Sequence, residues 1–373
     1  MRYLAVLGRQ PEISLAELSA LFSRVRLDGP ALATFSADKE PNIAKLGGSL
    51  KLAAEIADNS PLDFLQNLPE GKITLGVSDY SSHSSARKAQ GEALKLKKIL
   101  TRHGRSVRVV ENKLPVLSTA TSLHNGLGGG KSNKVELILN NGTWWRVIGV
   151  QDIDAYAKRD QVRPARDAKV GMLPPKLAQI LINLCGELPE KARILDPFCG
   201  TGVVLQEAML MGYSVYGTDL NPRMIEYSQK NLDWLQKGLL SSNAPEKDLI
   251  RLSQGDATNF AWEQPIDAVA CEGYLGQPMS QPPVEIKLKG EKQECSAIML
   301  VFLKNLAKQI KPGTPVVVAM PAWLRPDGSY SRMNLVDEIE DMGYNVSSNS
   351  RRGLLYHREG QIVARDIIIL RKK

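Results

Sequence analysis

The sequence predicts a two-part fold, an α+β region followed by a doubly wound α/β region. Three observations lead to this expectation. A length of 373 residues is that of two domains at roughly 150 residues each. The first half contains an Asn-Gly hairpin signal, and the second half alternates short apolar strands with helices. We expect a first domain at 1–151, a polar linker at 152–170 and a second domain at 171–373.

In the first half, an apolar segment at 3–7 predicts a strand, and Ser14 and Glu17 follow with the spacing of a capping box. In such a box the hydroxyl and the carboxylate satisfy the free amides at a helix start. A second helix is expected at 85–103, ended by Gly104. Strands on either side of the Asn-Gly turn are expected at 135–139 and 144–150.

The second half alternates strands with helices, which predicts a largely parallel sheet covered on both faces. Strands are expected at 193–196, 214–219, 250–255, 268–271 and 315–320, and helices at 173–184, 202–211, 224–237 and 296–310. A long loop rich in Pro, Gly and Lys is expected to run to about Glu294. Segments 354–357 and 362–370 predict a terminal antiparallel hairpin.

Composition excludes several classes of protein. With 43% hydrophobic and 24% charged residues, the chain has the balance of a globular protein with proper cores. No window approaches the roughly 18 apolar residues of a spanning helix, and the N-terminus lacks a signal-peptide core. We therefore expect a soluble, cytoplasmic chain. The four cysteines and four histidines are dispersed without a C-x-x-C pair, so neither a metal site nor a disulfide framework is expected.

The positive charge is concentrated in the first half. Residues 1–165 hold 23 Lys and Arg against 16 Asp and Glu, whereas residues 166–373 hold 25 against 24. Such asymmetry is typical of a chain in which one domain binds a polyanion. A stripe of cations on the helix at 85–103 is the candidate phosphate-binding face: Arg87, Lys95, Lys98 and Arg102. The alternative is an ordinary solvated basic face.

The sharpest motif is Asp196-Pro197-Phe-Cys-Gly200-Thr-Gly202, between a predicted strand and a predicted helix. Ligands of open α/β sheets bind at such strand–helix turns, where glycines allow close approach. A dinucleotide fingerprint requires a third glycine, where this chain has Leu205. The strand-ending carboxylate would repel a pyrophosphate and attract an ammonium group. The motif therefore favours S-adenosylmethionine over NAD.

Two further acids end the next two predicted strands. Asp219, followed by Leu220, can accept hydrogen bonds from both ribose hydroxyls, and Asp256, followed by Ala257, can bind the adenine amino group. Three strands ending in acids at this spacing strengthen the S-adenosylmethionine hypothesis. The alternative is that these aspartates cap local turns.

The fourth predicted strand ends in the candidate chemistry site. Amino methyltransferases carry a D/N-P-P-Y/F motif there, whose acidic or amide group accepts hydrogen bonds from an exocyclic amine and whose ring stacks on the base. This chain has Glu272-Gly-Tyr274-Leu, with both prolines missing and the spacing one residue shorter. Glu272 is the candidate acceptor and Tyr274 the candidate stacking residue. The alternative is a surface glutamate and a loop tyrosine.

These motifs together resemble the THUMP-domain tRNA guanine-N2-methyltransferases that modify guanine at position ten. The resemblance covers Tyr3-Leu-Ala-Val-Leu-Gly8, Leu46-Gly-Gly-Ser-Leu-Lys51, Arg163-Pro to Gly171-Met-Leu-Pro-Pro-Lys-Leu177, the 196–202 motif, and Leu354 to Ile368. It implies a THUMP-like RNA-binding domain before a Rossmann-like class I methyltransferase domain. It also implies a cytosolic tRNA substrate and a segment at 163–177 packed over the methionine end of the cofactor.

The resulting hypothesis is an S-adenosylmethionine-dependent enzyme that methylates an exocyclic guanine amine of tRNA. The first domain would hold the RNA, and Tyr274 would stack on a flipped base. One alternative is a non-catalytic RNA-binding protein that retains the fold. Another is a DNA amino methyltransferase, which the first domain argues against. The exact nucleotide, mono- or dimethylation, oligomeric state and any small activating partner protein stay open.

Overall fold

Two compact units make up the chain, Met1–Tyr156 and Ala157–Lys373. The structure is a computed structural model that describes residues 1–129, 132–167, 173–238 and 249–373. Gly171 and Met172 of the segment expected over the cofactor lie outside the described residues. Throughout the described ranges, no helix has the length and apolar character needed to cross a bilayer.

The first unit is built on an eight-stranded mixed sheet with the order β2-β3-β1-β4-β8-β7-β5-β6. Its strands are β1 Arg2–Leu7, β2 Ser23–Leu27, β3 Leu32–Ser36, β4 Ser49–Glu55, β5 Ile73–Asp79, β6 Val107–Val109, β7 Lys134–Asn140 and β8 Thr143–Val150. Its helices are α1 Pro11–Leu21, α2 Pro61–Gln66, α3 Ala86–Arg102 and α4 Thr119–His124, and α5 Ile153–Gln161 follows within the segment expected as a linker.

Three predicted features of this unit are confirmed. Antiparallel β7 and β8 are joined through Asn141 and Gly142, whose φ angles of +47° and +84° fit a two-residue hairpin turn. The hydroxyl of Ser85 accepts a hydrogen bond from the Lys88 amide at the start of α3. Gly104 follows the helix with a φ of +79°. The hydrophobic pattern did not predict β2 to β6. Strands β2 and β3 form a local antiparallel pair, whereas β4 and β5 pair with strands distant in sequence.

The predicted capping box is wrong. Helix α1 already begins at Pro11, whose fixed φ favours a first helical position, so Ser14 and Glu17 lie inside the helix. The Ser14 hydroxyl donates to the Gly48 carbonyl at 2.7 Å. The Glu17 carboxylate accepts the amides of Gly47 and Gly48 at 2.9 and 2.8 Å. Both side chains therefore hold the turn before β4 instead of the start of their own helix.

The second unit is built on a nine-stranded sheet whose main order is β11-β10-β9-β12-β13-β17-β15. The strands are β9 Arg193–Asp196, β10 Ser214–Asp219, β11 Ile250–Gln254, β12 Ala268–Glu272, β13 Pro315–Leu324, β14 Tyr330–Ser331, β15 Tyr344–Val346, β16 Leu355–Tyr356 and β17 Val363–Lys372. Five of them, β9 to β13, run parallel, and β17 is antiparallel to β13. The predicted terminal hairpin is confirmed as β16 paired with β17.

Helices connect these strands, as the alternation predicted. They are α6 Pro175–Asn183, α7 Val203–Leu210, α8 Pro222–Gly238, α9 Glu285–Ala307, α10 Val336–Asp341 and α11 Ser348–Arg352. The chain passes from β9 outward to β10 and β11, then returns to place β12 on the other side of β9. The carboxyl ends of β9 and β12 therefore form the switch point at which open α/β sheets bind ligands. The predicted fold class is confirmed.

The long loop expected up to about Glu294 is wrong in its second half. Helix α9 begins at Glu285, and four of its apolar side chains are buried at helical spacing: Leu288, Cys295, Met299 and Phe302. Lysines and Gly290 on the exposed face hide this periodicity in the sequence. Only residues 273–284 are left between β12 and the helix.

Candidate active site

Asp196 ends β9 at the switch point and is 2% exposed. Burial raises the pKa of its carboxyl well above the usual range, and the nearby carboxylates of Asp219 and Glu272 add to the increase. A hydrogen bond from the Phe198 amide at 3.1 Å opposes this shift in the pKa. No described lysine or arginine forms an ion pair with Asp196. A cationic ligand group would therefore be stabilised beside it.

The turn after Asp196 depends on two glycines with positive φ angles, +50° at Gly200 and +79° at Gly202. A Cβ atom at Gly202 would lie 2.9 Å from the Ser228 hydroxyl oxygen on α8. The Gly200 amide donates to the Asp219 carboxylate at 2.9 Å. The turn is therefore fixed by backbone geometry that other residues adopt at a cost.

Asp219 joins this turn to the end of β10. Its other carboxylate oxygen accepts the Asn221 amide at 2.9 Å. Burial raises the pKa of Asp219, while these two backbone hydrogen bonds oppose the increase. Each carboxylate oxygen can accept two hydrogen bonds and here accepts one of these two. The group therefore has capacity for a ligand hydroxyl. The adjacent Leu220 side chain is 67% exposed and offers an apolar surface at the rim of the turn.

Asp256 follows β11 and lies in a tight turn. One of its carboxylate oxygens accepts both the amide and the hydroxyl of Thr258, at 2.9 and 2.7 Å. The Gly255 amide donates to the Asp219 carbonyl at 3.0 Å, which brings this turn beside the end of β10. Ala257 is buried, and its carbonyl accepts the Asn305 side-chain amide at 3.1 Å. Asp256 therefore supports a local turn that lies next to the end of β10, where Asp219 is located.

Glu272 is paired with an arginine that sequence reasoning did not assign to the site. Its Oε1 accepts the Nε–H of Arg365 on β17 at 2.7 Å, and the two side chains are 16% and 6% exposed. The one signal in the sequence is that Arg365 and Asp366 interrupt an apolar strand. The pair places one cation against the carboxylates at the switch point.

Tyr274 lies against α9 although it follows Glu272 by only two residues. Its hydroxyl donates to Glu294 at 3.2 Å and accepts from Gln277 at 3.2 Å. The ring packs beside Leu288 and Trp323. Burial and the neighbouring Glu294 carboxylate raise the pKa of the phenol. The two candidate catalytic residues thus have partners on different elements.

The predicted cations on α3 are all exposed: Arg87, Lys95, Lys98 and Arg102. The opposite face of the helix is buried through Ala89, Ala93, Leu96 and Leu100. Lys95 forms an ion pair with Glu92 at 2.7 Å, which leaves the other three more available for an external anion.

The segment before α6 is tied to the turn at 196–202. The Asn231 side-chain amide on α8 donates to the carbonyls of Ala165 and Thr201, at 2.9 and 2.8 Å. Nearby, Arg159 forms a buried ion pair with Glu207 on α7 at 2.6 Å. Arg163 is 2% exposed, and none of its guanidinium nitrogens has a hydrogen-bond partner in the part of the chain that the structure describes. Burial lowers the pKa of Arg163.

Within the described ranges, no three His, Cys, Asp or Glu side chains come together as metal ligands. The four cysteines are free and buried.

A doubly wound sheet with an antiparallel β17 and acid-ended strands at its switch point defines a Rossmann-like methyltransferase domain. Residues 163–319 match the family described as RMKL-like, methyltransferase domain. This stretch contains every predicted cofactor and chemistry residue, from Asp196 to Tyr274.

Two curated relatives are tRNA (guanine(10)-N2)-dimethyltransferases. That of Methanothermobacter thermautotrophicus is 30% identical over 184 residues, 49% of this chain and 47% of the relative. That of Methanocaldococcus jannaschii is 43% identical over 157 residues, 42% of this chain and 40% of the relative. The chain thus spans about half the length, or less, of these relatives. A solved structure, TrmN from Thermus thermophilus, is 18% identical with a TM-score of 0.46 over all of both chains. The match to the family model and the matches to the two curated relatives confirm the resemblance inferred from the motifs.

Proposed function

We propose that this protein is an S-adenosylmethionine-dependent tRNA methyltransferase that modifies the exocyclic N2 amine of a guanine in the cytoplasm. The observation that carries the proposal is the convergence of Asp196, Asp219 and Glu272 at the switch point of a methyltransferase domain. The names of the relatives support tRNA and guanine as the substrate.

The residues at the switch point fit S-adenosylmethionine. Asp196, buried and without an ion-pair partner among the described residues, would hold the ammonium group, with Gly200 and Gly202 allowing close approach. The remaining groups would hold the nucleoside: Asp219 the ribose hydroxyls, and Leu220, Asp256 and Ala257 the adenine. Pro197 lies in the turn that directly follows Asp196. When bound, the cofactor supplies an electrophilic methyl group.

Glu272 would orient the target amine. Its Oε1 is held by Arg365, so the carboxylate is fixed in direction while Oε2 is left to accept an amine hydrogen. Accepting that hydrogen turns the nitrogen lone pair toward the methyl group, and positioning of this kind supplies a large part of a rate enhancement. Tyr274, with its hydroxyl anchored to Glu294, would stack on the flipped base. The exposed cations of α3 would contact RNA phosphates.

Transfer of labelled methyl groups to unmodified tRNA transcripts tests this function. The wild-type protein should incorporate label that nucleoside analysis recovers as N2-methylguanosine. Asp196→Asn should lose cofactor affinity and incorporation, since the neutral amide no longer attracts the ammonium group. Asp341→Asn on the exposed side of α10 is the matched control and should behave as wild type.

Two outcomes would contradict the proposal. Tight tRNA binding without cofactor binding or incorporation would indicate the non-catalytic RNA-binding alternative. Incorporation into duplex DNA, and none into tRNA, would indicate the DNA amino methyltransferase alternative.

A further inference from the structure

We propose that the methyltransferase unit has its own phosphate-binding pocket, formed by Lys292, Arg325 and Arg332, which holds the RNA backbone beside the target nucleotide. The inference deepens the proposed function, since it rests on RNA being the substrate.

The pocket lies where β13 leaves the sheet. It has a volume of about 260 Å³ and is lined by Lys292, Arg325, Tyr330, Ser331, Arg332 and Asn334. Strand β13 ends at Leu324, and β14 folds back on it with Ser331 opposite Trp323. Helix α9 contributes Lys292 from the other side. The pocket is therefore at the carboxyl end of the parallel strands, the same end of the sheet as Asp196 and Glu272.

Among the described residues, two of the three cations have no ion-pair partner. Arg332 forms an ion pair with Asp366 at 2.7 Å. The Arg325 guanidinium donates to the neutral Ser331 hydroxyl, at 3.1 Å. No hydrogen-bond or ion-pair partner among the described residues meets the Lys292 ammonium. The pocket therefore presents a net positive charge in a unit whose Lys and Arg nearly balance its Asp and Glu.

Nearby acids offset only part of this charge. Asp327 lies near Arg325 without forming an ion pair with it in the described part of the chain, and its carboxylate accepts the amide and hydroxyl of Ser329 at 2.9 and 2.6 Å. Burial lowers the pKa of Lys292 and the Arg325 charge lowers it further, while the Glu285 carboxylate opposes with a smaller effect. An anion between Lys292 and Arg325 would relieve this repulsion.

The same part of α9 holds the loop that follows Glu272. The Glu291 carboxylate accepts the Gln277 amide at 3.2 Å, and Glu294 accepts the Tyr274 hydroxyl at 3.2 Å. Lys292 lies between Glu291 and Glu294 in sequence and belongs to the same turn of α9. An RNA chain whose base stacks on Tyr274 would therefore pass its backbone near Lys292, and a phosphodiester supplies the anion that the pocket requires.

Binding of an unmodified tRNA transcript to the full chain, measured from 50 to 300 mM KCl, tests the pocket. Lys292→Met with Arg325→Met should weaken binding on the order of tenfold at low salt and reduce the salt slope by about one to two units. S-adenosylmethionine affinity, measured by calorimetry, should not change. The matched control is Lys289→Met with Arg371→Met, which removes the same charge from exposed positions on α9 and β17.

The pocket is refuted if both double variants weaken tRNA binding equally, or if neither does while the wild type still methylates tRNA. A wild-type protein that binds S-adenosylmethionine but not tRNA would instead refute the proposed function, and the pocket with it. The tRNA binding of the wild-type protein separates these two failures, since it is retained if only the pocket is wrong and absent if the proposed function is wrong.

Discussion

At the scale of single residues, the contact between Glu272 and Arg365 does most to define the chemistry site. Without Arg365, the Glu272 side chain would be free to rotate, and its negative charge would repel the buried Asp196 carboxylate. The 2.7 Å contact to Arg365 removes that freedom and partly balances the charge. In the proposed mechanism Arg365 is a positioning residue, since it would act on the target amine only through Glu272.

Replacing Arg365 with Met should lower kcat for methyl transfer by at least about tenfold, since a misoriented acceptor loses the positioning contribution. Cofactor affinity should stay within a few fold of wild type. In a Glu272→Gln background the same change should cost little more, because residues that act as one unit are not additive. Additive losses in this double-mutant cycle would contradict the positioning role. Arg371→Met, on the exposed end of the same strand, is the control.

At the scale of elements, α3 combines packing and charge in one helix. Its apolar side chains bury against the sheet of the first unit, and its cations therefore must face outward. An amphipathic helix fixes this division by its 3.6-residue period alone. The ion pair between Lys95 and Glu92 makes the stripe uneven, so its cations are not equivalent.

Neutralising Lys98 and Arg102 together, both to Met, should weaken tRNA binding several fold at low salt and reduce the salt slope by about one to two units. Lys95→Met should have a smaller effect than Lys98→Met, since Glu92 already balances part of its charge. Filter binding over a salt series measures both. Lys113→Met, exposed in a loop of the same unit, is the control. Equal effects from Lys113 and Lys98 would mean that only net charge matters.

For the whole molecule, the ionisation of Asp196 affects both the stability of the fold and the proposed binding of the cofactor. Burial and neighbouring carboxylates raise the pKa of Asp196 well above the usual range. A carboxyl with a raised pKa in the folded state stabilises the fold below its unfolded pKa, and this stability is lost as the pH rises through the folded pKa. Ionisation of Asp196 as the pH rises therefore lowers the free energy of unfolding of the ligand-free protein.

Thermal melts of the full chain from pH 5 to pH 8 should show two opposite trends. The contribution of Asp196 to ligand-free stability should fall as the pH rises, whereas the stabilisation by saturating S-adenosylmethionine should grow, since the ionised carboxylate binds the ammonium group. Asp196→Asn should flatten both trends. A cofactor-induced shift in Tm that is the same at every pH in the wild type would contradict the proposed role of Asp196.

Local sequence signals predict the parallel strands of the second unit and the turns that we propose as the cofactor site. Strands such as Arg193–Asp196 and Ser214–Asp219 are short apolar runs that end in an acid before a glycine turn or a helix start. These signals are local, because turn geometry and strand burial depend on a few adjacent residues. The same local character explains the correct hairpin at Asn141 and Gly142 and the correct ends of α3.

Which side chains contact one another depends on the tertiary structure. Glu272 and Arg365 are 93 residues apart in sequence and meet because β12 and β17 flank β13. Ser14 and Glu17, read locally, form a capping box, yet the Ser14 hydroxyl donates to the Gly48 carbonyl and the Glu17 carboxylate accepts the Gly47 amide, 34 and 30 residues away. Lys292 and Arg325 share a pocket because β14 folds back on β13 beside α9. Hydrogen bonds and charge interactions depend on distance in space. The order of the strands in the sheet sets these distances, and the spacing of residues along the chain does not reveal that order.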